Sequence, residues 1–250
     1  MSAVGTLVWR EWARFYRQRS RIVGSLAMPV FFWALLGTGL QAAFPGSNEY
    51  LKFFFPGNLI LTVMFTSIFS CISIIEDRNE GFLQSVLVSP LRSPSIVLGK
   101  ILGGGLIAFL QGCLFLFLAP LAGFSLEFVP FLWALVSLAV LSLAMTALGF
   151  VFAWRLDSVQ GFHAVMNLVL FPLWLLSGAF FPIERAPSFV RPLAALNPMT
   201  YGLSSIRSSL EGNISSETVL IPVLVVLAYA SLFFALSVWA VGKVKELKTA

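Results

Sequence analysis

The sequence is short of charge. Of its 250 residues 16 are Lys or Arg and 11 are Asp or Glu, so charged side chains make up 11 % of the chain, under half of the roughly 25 % usual in a soluble domain. A water-soluble globule of this size cannot enclose a chain that is 58 % apolar. Disorder is excluded as well, because disordered chains are poor in residues such as the 25 phenylalanines present here. Acids are missing from the apolar runs altogether, and all eleven fall in loops or at run ends. Carriers driven by a proton or sodium gradient keep ionisable groups at membrane depth. Matched, interrupted helices in two halves would be another signature, and the halves show no internal repeat. Both absences argue against ion-coupled transport.

Chemistry-bearing residues are equally scarce. Histidine occurs once, as His163, which reads as a polar edge residue rather than a ligand. The two cysteines, Cys71 and Cys113, sit in separate apolar runs and read as small apolar side chains. No metal-ligand or redox spacing surrounds either one, and no Ser/His/Asp set can be assembled from accessible loops. An ATP site is absent too: Ile101 follows Gly99-Lys100 and position 94 is Pro, so the G-x-x-x-x-G-K-[ST] pattern fails. The chain reads as a non-enzyme that binds no cofactor of its own, and any directional work draws its energy from another polypeptide. The net charge of +5 does not point to nucleic acid, since that needs a clustered basic face on a soluble fold.

What the sequence does have is long apolar runs. A bilayer core about 30 Å thick takes about 20 apolar residues per helix, and six stretches qualify: 22–43, 53–75, 101–124, 128–154, 162–181 and 219–241. No ten-residue alternation of the barrel kind appears. The class is therefore all-α integral membrane with six transmembrane helices. The first run exceeds the 7–15 residues typical of a cleavable signal core, and Gln41-Ala42-Ala43 is a weak cleavage site. With both termini on one side, that side holds twelve Lys or Arg, among them Arg10, Arg14, Arg17, Arg19, Arg21 and Arg78. Lys52, Arg185, Arg191 and Arg207 face the other. The positive-inside rule then makes the termini cytoplasmic.

Three segments outside the spans carry patterns. Residues 4–21 wind into an amphipathic helix, with Trp12 and Phe15 on an apolar side and Arg10, Arg14 and Arg17 opposite. Such a helix lies in the headgroup plane with its arginines near anionic lipid. It is either a plain anchor for the first span or an elbow that also touches a cytoplasmic partner. Between spans two and three, Glu76 to Pro90 puts four charges in five residues ahead of apolar positions 82, 83, 86 and 87, a short one-striped helix stopped by Pro90. Ser93-Pro94 fits a cap and a first-turn proline for the next helix. The short helix suits a membrane subunit that receives motion from a soluble partner; a hairpin packed on its own neighbours is the other reading. In the last outer loop, Asn197-Pro198 fits a cap and first-turn proline for a helix to Leu210. The spacing of Met199, Leu203, Ile206 and Leu210 is a packing stripe or the face of a helix re-entering the bilayer at an exit gate. Gly99-Lys100-Ile101-Leu102-Gly103 permits close helix approach, most simply within the chain.

Two of these segments resemble signatures of ABC type-2 transporter permeases, the membrane subunits of bacterial exporters. Arg78-Asn79-Glu80-Gly81-Phe82-Leu83-Gln84-Ser85-Val86-Leu87-Val88-Ser89-Pro90 is similar to that family's cytoplasmic segment before span three. Leu176-Ser177-Gly178-Ala179-Phe180-Phe181-Pro182, with Pro187, then Leu196-Asn197-Pro198-Met199-Thr200-Tyr201 and Arg207, is similar to its signature after span five. The match covers nearly the whole chain, as one domain over 1–250.

The resemblance implies a dimer, of two copies or with a similar permease, above two ABC ATPase subunits that bind the ATP and magnesium. It places the chain in a bacterial inner membrane. It makes Arg78, Glu80, Gly81, Phe82, Leu83, Gln84, Leu87, Ser89 and Pro90 the coupling helix and its flanks. Ser177, Gly178, Phe180, Phe181, Pro182, Pro187, Asn197, Pro198, Tyr201 and Arg207 would shape external re-entrant helices at the outer mouth. Phe82 stands where the family commonly has Thr, and Gln84 where it often has Glu, which removes a possible charge contact. The Leu-Ser-Gly-Ala-Phe-Phe-Pro form leans toward drug-resistance and nodulation-type exporters. Phe-rich, acid-free spans then suit an amphipathic or lipid-like cargo. A membrane anchoring or assembly factor that recruits a soluble partner without transport is the competing class, and ATP-dependent flux separates the two.

Overall fold

The computed structural model describes residues 3–17, 19–43, 48–89 and 91–249. Every regular element among the described residues is helical. In chain order they are α1 (Ala3–Arg17), α2 (Arg19–Ala43), α3 (Asn48–Asn79), α4 (Phe82–Val88), α5 (Ser93–Leu116), α6 (Phe128–Arg155), α7 (Val159–Trp174), α8 (Val190–Ala195), α9 (Pro198–Leu210) and α10 (Ile221–Thr249).

Five segments among the described residues are long and apolar enough to cross a bilayer: Tyr50–Asn79, Ser93–Leu116, Phe128–Arg155, Val159–Ala179 and Ser216–Lys245. The sequence-derived first span, 22–43, is helical as the body of α2, but its apolar part is the shorter Leu26–Gly37 and contains Pro29. Span three differs most. It was expected over 101–124, yet α5 starts at Ser93 and ends at Leu116, followed by a 3-10 turn at Ala119–Ala122. Lys100 reads as a boundary in sequence, but inside the fold it is ion-paired and the helix runs straight through it. The expected cap is also displaced by one residue: Arg92 occupies the cap position and makes no side-chain capping bond.

α3 is the axis of the bundle. Its 32 residues extend about 48 Å at 1.5 Å per residue, more than the roughly 30 Å bilayer core. Its ends therefore reach beyond the apolar slab. Toward one end, Phe54 and Phe55 are fully buried among Trp33, Phe115, Phe124, Trp174 and Phe180, with ring centres 5.1–6.4 Å apart where they pair. Below them runs a buried polar row at helical spacing, Asn58, Thr62, Thr66 and Ser70. The Thr66 hydroxyl donates to Gln111 of α5 at 2.5 Å, and the Ser67 hydroxyl donates to the Ser142 carbonyl of α6 at 3.4 Å. Buried hydroxyls in lipid-facing bundles need such partners, because no water is there to satisfy them. The core thus holds α3, α5 and α6 in register by hydrogen bonds as well as by packing.

Candidate functional site: the α4 joint and the Gly178 turn

Gly81 makes α4 a separate helix. Its φ of 77° lies in the left-handed region, where glycine costs nothing and other residues are strained. It breaks the chain after α3, and its carbonyl accepts from the Gln84 and Ser85 amides as α4 begins. One face of α4 buries Leu83 and Leu87, while Phe82 and Val86 are half-buried. The opposite face turns Gln84, Ser85 and Val88 outward, Val88 with 79 % exposure. Ser89 closes the helix by donating to the Val86 carbonyl at 2.5 Å. Lys245 of α10 pins the following turn by donating to the carbonyls of Ser89 and Leu91. Pro90 lies outside the described residues.

The last turn of α3 is clamped on both sides. Asp77 is fully buried and accepts a two-pronged bond from Arg10 of α1, Nη1 to Oδ2 at 2.8 Å and Nη2 to Oδ1 at 2.6 Å. Arg14 adds Nη1 to Asp77 Oδ1 at 2.8 Å, with Nη2 near Glu76 at 3.1 Å and Glu80 at 3.4 Å. Lys100 of α5 bonds Asp77 and also Glu11 of α1, the latter at 2.5 Å; the Lys100, Glu11 and Asp77 side chains are 4 %, 4 % and 0 % exposed. The Asp77 hydrogen bond raises the affinity of the Arg10 guanidinium for its proton further. Buried charges of this kind persist only when paired. On the other flank, Arg78 donates to the Trp154 carbonyl at 2.5 Å and the Leu156 carbonyl at 3.1 Å, and pairs with Asp157 at 3.0 Å. A guanidinium at the carbonyl end of α6 complements that helix's dipole. Arg78, grouped on sequence with a partner-facing segment, is thus turned into the bundle.

The arginines of α1 also lie differently from expectation. Periodicity placed them beside lipid headgroups. Arg10 and Arg14 instead face the carboxylates of α3, and it is Trp9, Tyr16 and Arg17 that are exposed. Trp12 and Phe15 are half-buried. Two glycines of α5 permit this docking: a β-carbon on Gly99 would stand 2.8 Å from the Leu7 Cβ, and one on Gly103 would stand 2.9 Å from the Glu11 Cβ. Sequence reasoning missed Glu11, Asp77 and Lys100. The available signal was a lysine interrupting an otherwise apolar helix, which needs a buried counter-charge.

At the other end of the bundle, α7 loosens into a π turn at Leu175–Ala179 and reverses at Gly178, φ 88°. A β-carbon there would sit 2.9 Å from Ile183 Cγ1. Ser177 donates to the Trp174 carbonyl at 2.6 Å, and the Trp174 indole donates to the Gly57 carbonyl at 2.7 Å. Phe180 meets Trp174 and Phe54 edge-on, whereas Phe181 and Pro187 are exposed. Pro182 leads into a single 3-10 turn, Ile183–Arg185. Asn197 caps α9 by accepting from the Met199 amide at 3.0 Å, while its own amide donates to the Leu173 carbonyl at 2.6 Å. Pro198 is the first helical residue. Tyr201 donates to the Ala195 carbonyl at 2.8 Å. Arg207 donates to the carbonyls of Gly178 and Phe53, at 3.3 and 3.4 Å, and lies 4.3 Å above the Phe53 ring.

Depth along α10 decides the course of this segment. Tyr229 donates to the Leu196 carbonyl at 2.9 Å. It stands eight residues past the start of α10 at Ile221, about 12 Å along the axis. The chain from Pro182 therefore runs back along the bundle to Leu196 and climbs out again as α9. Met199, Leu203, Ile206 and Leu210 are all buried, so the stripe serves packing.

Among the described residues, two clefts bear on these segments. One of about 310 Å³ lies behind α4, lined by Leu83, Leu87, Trp154 and Val244 with Arg78 and Gln84. The other, about 200 Å³, lies between α3 and α7, where Phe65 and Phe69 meet His163, Met166 and Asn167. His163 stands edge-on to Phe69 at 5.9 Å. Among the described residues no group of three His, Cys, Asp or Glu is placed to hold a metal ion.

Comparison with known proteins adds a further finding. A family model described as "ABC-2 type transporter" matches residues 2–210. Nodulation protein J of Rhizobium leguminosarum bv. trifolii is 28 % identical over 219 residues, 84 % of this chain and 83 % of that protein. A daunorubicin resistance ABC transporter permease protein, DrrB1 of Streptomyces coeruleorubidus, is 26 % identical over 219 residues, 85 % and 76 % of the two chains. The ycf38 protein of Cyanophora paradoxa, which carries the name of a transport permease, is 31 % identical over 209 residues, 80 % and 71 %.

Proposed function

Because the chain belongs to the ABC-2 type transporter family, we propose that it is the permease subunit of an ATP-driven exporter, working as a dimer above two separate ATPase subunits. It is a multi-pass membrane protein and a transport permease. In this reading α2 supplies the sixth span, both termini and α4 lie in the cytoplasm, and the membrane is a bacterial inner membrane. Gly178 and the re-entrant hairpin stand at the outer mouth.

One observation carries the reading: α4 is a short helix joined to α3 at Gly81, capped by Arg10 of α1 over the Phe82 ring and pinned at its end by Lys245 of α10, yet it turns Gln84, Ser85 and Val88 outward. An outward-facing knob held at both ends suits an element pushed by a partner. The sequence holds no P-loop to do the pushing itself. The cargo is an amphipathic or lipid-like molecule, a drug or glycolipid. The aromatic and thioether lining of the α3–α7 cleft, with His163 and Asn167 as its polar members, supports that class.

The test is co-expression with each ABC ATPase subunit of the same genome. Purification of the tagged chain should bring the ATPase down, and reconstituted vesicles should move cargo only with ATP. Recruitment of an ATPase without flux would make the chain an anchoring factor, and no recruitment would remove the reading.

A further inference from the structure

The guanidinium of Arg10 touches two helices besides its own. Its face lies over the ring of Phe82, the first residue of α4, with the central carbon 3.7 Å from the ring centre. Its edge is occupied by Asp77 of α3 through both terminal nitrogens. Asp77 shares Lys100 of α5 with Glu11, the residue next to Arg10. A path of direct contacts from α4 to α5 thus runs Phe82, Arg10, Asp77, Lys100, passing through α1 on the way.

We propose that Arg10 is a positioning residue for energy coupling: it converts displacement of α4 into displacement of α1, α3 and α5 as one body. The proposal rests on α4 being the element that meets the ATPase. The planar fork is what the position needs. A guanidinium stacks on a ring and grips a carboxylate at once, while a lysine ammonium is a single point charge. Buried pairing keeps the joint stiff, because neither Asp77 nor Lys100 can leave its partner without exposing a bare charge inside the bundle.

Two measurements test it. In the purified permease alone, in nanodiscs, amide hydrogen exchange over residues 83–88 should rise about tenfold in Arg10→Lys and in Phe82→Leu. The double variant should rise no further, because both changes remove one shared contact. Unchanged exchange, or rises that add, would overturn the joint. In the complex with the ATPase, Arg10→Lys should lower kcat for ATP hydrolysis severalfold while leaving its KM and the amount of complex unchanged. Phe82→Trp, which keeps a ring beneath the cation, should retain the wild-type kcat. A fall in complex yield with normal turnover per complex would make Arg10 merely structural and overturn the proposal. If the wild-type chain captures no ATPase, the reading of α4 falls; if it captures one and Arg10→Lys turns over normally, only the joint falls.

Discussion

Asp77 and Arg78 are neighbours in sequence and face opposite flanks of α3. Asp77 is gripped by Arg10, Arg14 and Lys100, and Arg78 grips the last carbonyls of α6. One turn of helix thereby ties four helices together at the base of α4.

Lys100 is the buried cation bonded to both Glu11 and Asp77, which Arg10 also meets from the more exposed side, Glu11 at 3.6 Å. Lys100→Met should destabilise the chain by about 3–5 kcal/mol, the usual cost of breaking a buried pair by removing one partner. Adding Glu11→Gln, which removes one stranded charge, should recover part of that loss. Thermal unfolding in detergent reads both. An unshifted melting temperature in Lys100→Met would show that the pairs contribute nothing.

Gly178 and Gly212 make an internal comparison. Both have positive φ, 88° and 73°, but a β-carbon at Gly178 meets Ile183 whereas at Gly212 it meets nothing within 4 Å. Ala at either position should cost about 1–2 kcal/mol of backbone strain. Gly178→Ala should cost more because Ile183 must also shift. Equal melting temperatures for the two variants would deny the close packing of the turn.

Asn197 both caps α9 and holds it to α7. Asn197→Asp keeps the acceptor for the Met199 amide but loses the donor to the Leu173 carbonyl, whereas Asn197→Ala loses both. Hydrogen exchange in the first turn of α9 should rise modestly in the first variant and more in the second, for which loss of the cap alone is worth about 1 kcal/mol.

Gly103→Leu should lift α1 from α5, since Glu11 occupies the space such a side chain needs. Amide exchange across residues 3–17 should rise while α6 stays protected. Protection of α1 at the wild-type level would contradict its docking.

Much of this arrangement was legible beforehand. Asn197-Pro198 marks the cap of α9 because capping and proline geometry are local, and the buried stripe of Leu83 and Leu87 follows from spacing alone. Span three was misplaced because a lysine in an apolar run looks like an end until its counter-charges are known, and those lie 23 and 89 residues away. The facing of α1 was misread for the same reason. Periodicity sorts Arg10 and Arg14 to one side, but whether that side meets lipid phosphate or protein carboxylate depends on Asp77, 67 residues from Arg10. The path of the last hairpin stays open in sequence, because it depends on the bond from Tyr229 to the Leu196 carbonyl, 33 residues apart.

The docking of α1 on α3 and α5 sets an order of assembly. α1 leaves the ribosome before α5, and Lys100 is made 89 residues after Glu11, roughly 4–18 s later at ordinary rates of synthesis. Through that interval Glu11 has no lysine to meet, so α1 can be tied to α3 through Asp77, 67 residues after Arg10, before it is tied to α5. A chain cut short before α5 would leave that second tie unmade, and quality-control proteases would find their handle there.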